Sequence, residues 1–156
     1  MYTLVDIVDK LIDVERQARE IYEQIAIMED AIPSVRTIAR VLKSEEERHV
    51  EYYTKLRKEL NQKDLPMLDF IAYDKVSSLF NEFKSRFTLP HPETPQEILR
   101  YAYRFEQENK ALVIDVQGRL LARESEAGDK IEEVLYQVIK EEERHIQNLK
   151  QFLREA

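Results

Sequence analysis

Apolar residues recur at alternating steps of three and four along four long stretches of the chain, a pattern typical of amphipathic α-helices. The first two predicted helices cover about residues 3–30 and 34–61, and the second has Ser34 as its N-cap. The third begins with the capping sequence "TPQE" at Thr94, and the fourth begins at Asp129. Four long helices with short turns therefore account for most of the chain.

The second and third predicted helices are joined by a long connection, residues 62–93. The stretch "MLDFIAYDKVSSLFNEFKSRF" within it has apolar residues at helical spacing, namely Phe70, Val76, Phe80, Phe83 and Phe87. Because a long connection in a compact domain normally has structure of its own, we expect an extra helix here. The predicted fold is all-α. It is a four-helix bundle of two antiparallel hairpins, with a crossover that contains the extra helix, and it forms a single domain over residues 1–156.

The composition agrees with helices and removes several classes of function. The 156 residues include only 2 glycines and 5 prolines, which suits helices with few turns. There is no cysteine, so disulfides, thiolate catalysis and cysteine-ligated metal sites are excluded. The net charge is −7, without a basic stripe. There is also no signal-peptide pattern and no apolar run of membrane-spanning length. We therefore expect a cytoplasmic protein that binds neither nucleic acid nor membrane.

Each predicted helix carries a glutamate within its apolar face. These glutamates are Glu15, Glu46, Glu106 and Glu142. A carboxylate buried without a partner costs several kcal/mol, so a carboxylate in a core requires a cation or a proton. Two of the four are followed by a histidine three residues later, Glu46 by His49 and Glu142 by His145. Both pairs lie inside copies of the same run, "EEERH".

The glutamates also match in depth along the predicted hairpins. Glu15 and Glu46 are equidistant from the predicted turn "EDAIPS", and Glu106 and Glu142 are equidistant from the start of the turn region "ESEAGD". In an antiparallel hairpin, residues equidistant from the turn lie at the same level. The turns are predicted from proline, glycine and capping residues, so this agreement is independent of the glutamates.

This set of side chains is typical of a metal site. A glutamate and a histidine three residues apart on a helix share one face, so Glu46 and His49 can reach one ion, as can Glu142 and His145. Four carboxylates and two imidazoles without sulfur suit two divalent first-row ions, and they favour iron or manganese over structural zinc. The four carboxylates also neutralise two divalent cations.

A solvated helix face is the alternative interpretation of either "EEERH" run taken alone, because Glu and Arg pair at this spacing on helix surfaces. We assign the flanking glutamates to that surface: Glu45, Glu47, Glu141 and Glu143. Tyr22 and Tyr53 are predicted in the core. Tyr22 lies seven residues after Glu15 on the same face, within reach of a hydrogen bond to this ligand. His91 lies between two prolines and is predicted at the surface.

A glutamate from each of two helices plus Glu-x-x-His from each of the other two resembles the ligand set of ferritin-like di-iron carboxylate proteins. Within that superfamily the chain is most similar to the rubrerythrin-like branch. The matching segments are "VERQAREIY", "EERH", "FEQENKAL" and the second "EERH". The resemblance covers the four long helices and does not extend to the crossover at 62–93.

The resemblance implies a role for each matching residue. The implied metal ligands are Glu15, Glu46, His49, Glu106, Glu142 and His145. Glu46 and Glu142 would bridge two iron ions, and each of the other four would bind one ion. Two departures stand out. Asn109 occupies the position of a second, redox-linked glutamate of rubrerythrins, and the chain lacks the cysteines of a rubredoxin-like module.

The expected function is therefore that of a di-iron redox protein that reacts with H₂O₂ or O₂, with electrons from an external donor protein. Members of this branch more often form dimers, so a homodimer is expected. Two alternatives remain open at this stage. One is iron oxidation for binding or storage, as in ferritin-like cages. The other is a metal-free helical bundle that acts as an interaction module.

Overall fold

The computed structural model describes residues 2–122 and 128–155, and within these ranges the chain forms five α-helices and no β-strand. The helices are α1 (Leu4–Ala26), α2 (Pro33–Asn61), α3 (Phe70–Arg86), α4 (Pro95–Leu121) and α5 (Gly128–Glu155). The predictions of an all-α chain and of an extra helix in the crossover are confirmed. Most of the predicted turn region between α4 and α5 lies outside the described residues.

The helix ends only partly follow the predicted caps. Thr94 is confirmed as the N-cap of α4, where its hydroxyl accepts the backbone N–H of Glu97 at 3.2 Å. Ser34 is not a cap, because α2 begins one residue earlier at a proline, whose fixed φ suits the first helical position. Asp129 is not a cap either, since Gly128 already belongs to α5. The carboxylate of Asp129 instead lies in the first turn, where the helix dipole favours negative charge.

The helices α1 and α2 form an antiparallel hairpin. Three ion pairs join them at successive levels: Asp9 with Arg57, Arg19 with Glu47, and Glu23 with Lys43. The first residue number of each pair rises as the second falls, which is the register of antiparallel helices. These pairs are partly exposed and contribute little each. The stability of the hairpin comes from the apolar faces between the helices, which are buried along their full length.

The helices α4 and α5 pack along each other as the second pair, joined across their outer side by the ion pair between Lys110 and Glu143. The side chains that pattern predicts on the inner face of α5 are buried as far as Leu149. Phe152 is the exception, because it is 54% exposed at the edge of a cavity rather than packed on a neighbour. The helical spacing of α5 predicts Phe152 in the core as well, and that prediction is wrong.

The crossover helix α3 lies against α1 and α4. The rings of Phe83 and Phe87 meet the ring of Phe105 edge-on, with centroids 5.5 and 4.9 Å apart. The amide of Gln17 in α1 donates hydrogen bonds to the carbonyls of Lys84 and Phe87 at the C-terminal end of α3, at 2.8 and 2.9 Å. These carbonyls have no partner within a helix, so Gln17 ties the end of α3 to α1.

One residue of the predicted apolar face of α3 is not buried. Phe70 is 66% exposed, whereas Val76, Phe80, Phe83 and Phe87 lie in the core. Phe70 is the first residue of the helix, so it lies at the edge of the contact with α1 and α4. Among the helices in residues 2–122 and 128–155, none combines the length and the hydropathy required to cross a lipid bilayer.

Candidate metal centre

Six polar side chains lie in the interior of the four long helices, each at most 7% exposed. They are Glu15 of α1, Glu46 and His49 of α2, Glu106 of α4, and Glu142 and His145 of α5. These are the six residues that the sequence pattern singled out. Each helix contributes one carboxylate because the position falls on its buried face, between apolar residues three and four steps away.

Four of these residues form a first group around His49. Its Nδ1 atom is 3.1 Å from Oε2 of Glu46, 3.6 Å from Oε2 of Glu15 and 4.0 Å from Oε1 of Glu106. One ligand atom from each of the four residues lies within 4.8 Å of the others. Metal ions of the first row bind such atoms at about 2 Å, so atoms this close can share one ion.

A second group overlaps the first and extends it toward α5. Ligand atoms of His49, Glu106 and His145 lie within 4.8 Å of one another. Nδ1 of His145 is 3.8 Å from Oε2 of Glu106 and 3.6 Å from Oε2 of Glu142. The two imidazole rings are stacked, with centroids 3.4 Å apart and planes 7° apart. Glu142 therefore adjoins His145 at the edge of the cluster, outside both groups.

Several atoms of the cluster are buried without a hydrogen-bond partner among the described residues. They are Oε2 of Glu15, Oε2 of Glu106, Oε2 of Glu142 and Nδ1 of His145. An unpaired buried polar atom costs about 1–3 kcal/mol, so such atoms are rare unless an ion or water serves them. All four are ligand atoms of the kind that divalent cations bind. This buried cluster of carboxylates and imidazoles can therefore hold a metal ion.

Three neighbouring side chains orient members of the cluster. The hydroxyl of Tyr53 donates to Oε1 of Glu142 at 2.5 Å. The amide of Asn109 donates to Oε1 of Glu15 at 3.1 Å. Each of these bonds fixes one carboxylate oxygen and leaves the other without a hydrogen-bond partner. Such outer contacts align metal ligands in known sites.

The third neighbour is Glu141, whose Oε1 lies 3.2 Å from Nε2 of His145. Its assignment to the surface is wrong, since its side chain is only 14% exposed. The signal for this contact is present in the sequence, because Glu141 precedes His145 by four residues. That signal is not decisive, because Glu45 precedes His49 by the same spacing but pairs with Arg48 instead.

The tyrosine that donates a hydrogen bond to the cluster is Tyr53, which the sequence pattern placed in the core without a role. Tyr22 is also buried, and its ring meets that of Tyr101 edge-on at 6.5 Å. The hydrogen bond between Tyr22 and Glu15 stays a prediction. His91 is exposed, as predicted.

The buried carboxylates differ in their affinity for protons. Burial raises the pKa of Glu15, but its close neighbours Glu46 and His49 and the positive charge of His145 outweigh burial and lower that pKa to about 2. Burial and the negative charge of Glu15 raise the pKa of Glu46 well above its usual range. Burial and the charges of Glu142 and Glu46 do the same to the pKa of Glu106. Glu15 is therefore the strongest acid of these three.

The histidines hold protons more tightly than usual. Burial lowers the pKa of each, but the surrounding carboxylates outweigh it. Glu15 is the main cause for His49, and Glu106 and Glu142 are the main causes for His145. The pKa of each histidine is raised to about 9. Because metal ligands must be deprotonated, a metal that binds here displaces protons from the site.

Comparisons of the chain with protein-family models, with curated proteins and with solved structures found no match.

Proposed function

We propose that this chain is a ferritin-like di-iron carboxylate protein of the rubrerythrin-like branch. In this proposal it binds two iron ions, or manganese in their place, between α1, α2, α4 and α5. It reacts with H₂O₂ or O₂, and it functions as a homodimer. The electrons come from another protein, because the chain has no cysteine with which to hold an iron–sulfur or rubredoxin-type centre.

The convergence of four carboxylates and two imidazoles from four helices carries this proposal. A core gains nothing from six buried ionisable groups unless a cation pairs with them. Oxygen and nitrogen ligands without sulfur match iron and manganese, and the distribution over the helices matches the di-iron carboxylate pattern. The unpartnered oxygens of Glu15, Glu106 and Glu142 support the same interpretation.

The first group of ligand atoms, and the proximity of Glu142 to His145 outside it, support a division of the ligands between two ions. Glu15, Glu46 and His49 would hold one ion, and Glu142 and His145 would hold the other. The resemblance gives Glu46 and Glu142 the bridging role. The two oxygens of Glu106 face different histidines, Oε1 toward His49 and Oε2 toward His145, so this carboxylate also reaches both positions.

Two bound ferrous ions would supply the electron pair for reduction of peroxide or O₂. The residues of the chain would bind the ions and orient the ligands that hold them. Tyr53 holds one oxygen of Glu142 and leaves the other for a metal. Asn109 does the same for Glu15, and, as an amide, it offers no second exchangeable carboxylate at this position. Apolar residues surround the cluster and leave each of its six side chains at most 7% exposed.

Metal content tests the proposal. The protein is purified without added metal, reconstituted anaerobically with Fe(II), and assayed for iron, manganese and zinc per chain. We expect about two irons per chain, the number that defines this class of site. Glu142→Ala should bind clearly less iron. Glu143→Ala is the matched control. Glu143 is the next residue in the chain, and its carboxylate is partly exposed and pairs with Lys110 outside the cluster.

Failure to bind metal after reconstitution, in protein with normal helix content, would refute the proposal and leave a helical interaction module. Uptake of many irons per chain on exposure to O₂ would instead indicate storage. Rapid consumption of H₂O₂ or O₂ by the reduced, iron-loaded protein, lost in Glu142→Ala and kept in Glu143→Ala, is the expected result.

A further inference from the structure

A cavity of about 610 Å³ opens beside the candidate metal centre. Its lining comes mainly from α2, α4 and α5, and its inner end is formed by four cluster residues: Glu46, His49, Glu106 and His145. Ligand sites in proteins typically have volumes of about 300–1,000 Å³. The cavity therefore has the size of a small-molecule site and a direct path to the proposed metals.

The walls between the mouth and the inner end are apolar. They are formed largely by the side chains of Val41, Leu42, Leu99, Ala102, Leu149 and Phe152. Phe152 and Val41 are 54% and 50% exposed at the outer edge, whereas Leu42, Leu99 and Leu149 are buried deeper. Binding of a hydrocarbon group against these walls is favourable, because it removes apolar surface from water.

The charges of the lining select against ions. The polar residues of the outer part are Thr37, Glu45, Asn148 and Gln151, and no lysine or arginine lines the cavity in the part of the chain that the structure describes. Glu45 is paired with Arg48. An anion therefore meets no cationic side chain along the walls, and a cation meets no unpaired carboxylate until it reaches the cluster. A charged ligand would lose its hydration without compensation.

We propose that this cavity binds an uncharged, mainly hydrocarbon small molecule with its inner end against the metal centre. Asn148, Gln151 and Thr37 at the mouth can serve one neutral polar group by hydrogen bonds. The position of the inner end beside metal rests on the proposed function, because two divalent ions neutralise the four cluster carboxylates. The apolar walls, and the pairing of Glu45 at the mouth with Arg48, do not depend on it.

A tryptophan reporter tests the binding site, since the chain has no tryptophan of its own. Phe152→Trp places one at the cavity. Tyr136→Trp is the matched control, because both residues are aromatic, lie on α5 and are 54% and 56% exposed, and Tyr136 does not line this cavity. The full, iron-loaded chain is titrated with 1-decanol. We expect a saturable change in emission for Phe152→Trp and none for Tyr136→Trp.

The effects of the ligand's charge and of the cavity's volume are tested in the Phe152→Trp variant. Decanoate and decyltrimethylammonium should bind about tenfold more weakly than 1-decanol, or worse. Ala102→Leu fills the cavity near its inner end and should weaken 1-decanol binding by about tenfold, while iron content and helix content stay unchanged. Equal or tighter binding of either charged probe would overturn the inference of an uncharged ligand.

The remaining outcomes separate this inference from the proposed function. Iron binding without a saturable response at Phe152→Trp refutes the cavity site and leaves the metal proposal intact. A saturable response in protein that binds no iron supports the cavity site and refutes the metal proposal. If dilution alone shifts the emission of Phe152→Trp and 1-decanol does not, a second copy of the chain covers the cavity, and the small-molecule site is refuted.

Discussion

The two "EEERH" runs are identical in sequence, yet the structure gives them different environments. In the first run Glu45 pairs with Arg48, and its side chain is 44% exposed at the cavity. In the second run Glu141 is 14% exposed and contacts both Arg144 and Nε2 of His145. The acidic residue four positions before the histidine thus faces solvent in one copy and orients the imidazole in the other.

This difference means that the two proposed metal positions are not equivalent. His49 points its Nδ1 at three carboxylates, one each from α1, α2 and α4. His145 has a carboxylate on each ring nitrogen side, Glu141 at Nε2 and Glu142 at Nδ1. A repeated motif therefore specifies the ligand types, while the helices around each copy determine how firmly each ligand is oriented.

Removal of one histidine at a time should have the largest effect on bound iron, and it tests whether the two positions differ. His49 belongs to both groups of ligand atoms, whereas His145 belongs to one. We expect His49→Ala to lose most of the bound iron, and His145→Ala to retain about one iron per chain. Iron per chain after anaerobic reconstitution is the measurement. Equal losses in the two variants would contradict the inequivalence of the two positions.

The histidines of the two "EEERH" runs should bind protons with similar affinity. The pKa of His49 and of His145 is raised to about 9 from an ordinary value of 6.5. In metal-free protein each histidine stabilises the fold fully below pH 6.5, and this contribution is lost as the pH rises through about 9. Glu46 and Glu106, whose pKa is also raised, act in the same direction.

The free energy of unfolding of metal-free protein should therefore fall by a few kcal/mol between pH 6 and pH 9, measured by urea denaturation. His49→Gln and His145→Gln should each remove a similar part of this decrease. Iron-loaded protein should lack the decrease, because the metal replaces the protons. Stability of the metal-free protein that rises over this range would refute the assigned protonation.

The contact between Glu141 and His145 is tested by a matched pair of substitutions. Glu141→Gln should weaken iron binding at the His145 position by about tenfold, the lower end of the effect of such orienting partners in metal sites. Glu45→Gln, at the same place in the other copy, should leave affinity unchanged. Both are followed by iron titration in the presence of a competing chelator. Similar effects of the two substitutions would show that the copies do not differ in this respect.

The smallest expected effect concerns the two buried tyrosines. Tyr53→Phe removes the hydrogen bond to Glu142 and should lower the stability of metal-free protein by about 1–2 kcal/mol. Tyr22→Phe removes a hydroxyl from the mainly apolar cavity wall and should cost less. Thermal or urea unfolding of both variants at one pH gives the comparison. A larger loss in Tyr22→Phe would favour the predicted hydrogen bond between Tyr22 and Glu15.

The sequence alone predicted much of the helical structure and the membership of the cluster. Burial of Glu15, Glu46, Glu106 and Glu142 follows from their spacing to apolar neighbours, because helical periodicity decides which residues share a face. The caps were less predictable. The helix α2 begins at Pro33 and is not capped by Ser34, since several local sequences can start a helix at nearby positions.

Only the tertiary structure decided which side chains meet across the helices. Tyr53 reaches Glu142 across 89 positions in sequence, and Asn109 reaches Glu15 across 94. Phe152 has the spacing of a core residue, but it is 54% exposed and lines a cavity. Periodicity within a helix is a local property of the backbone. Which segments pack on each helix face depends on distant parts of the chain, and a local sequence pattern does not predict that packing.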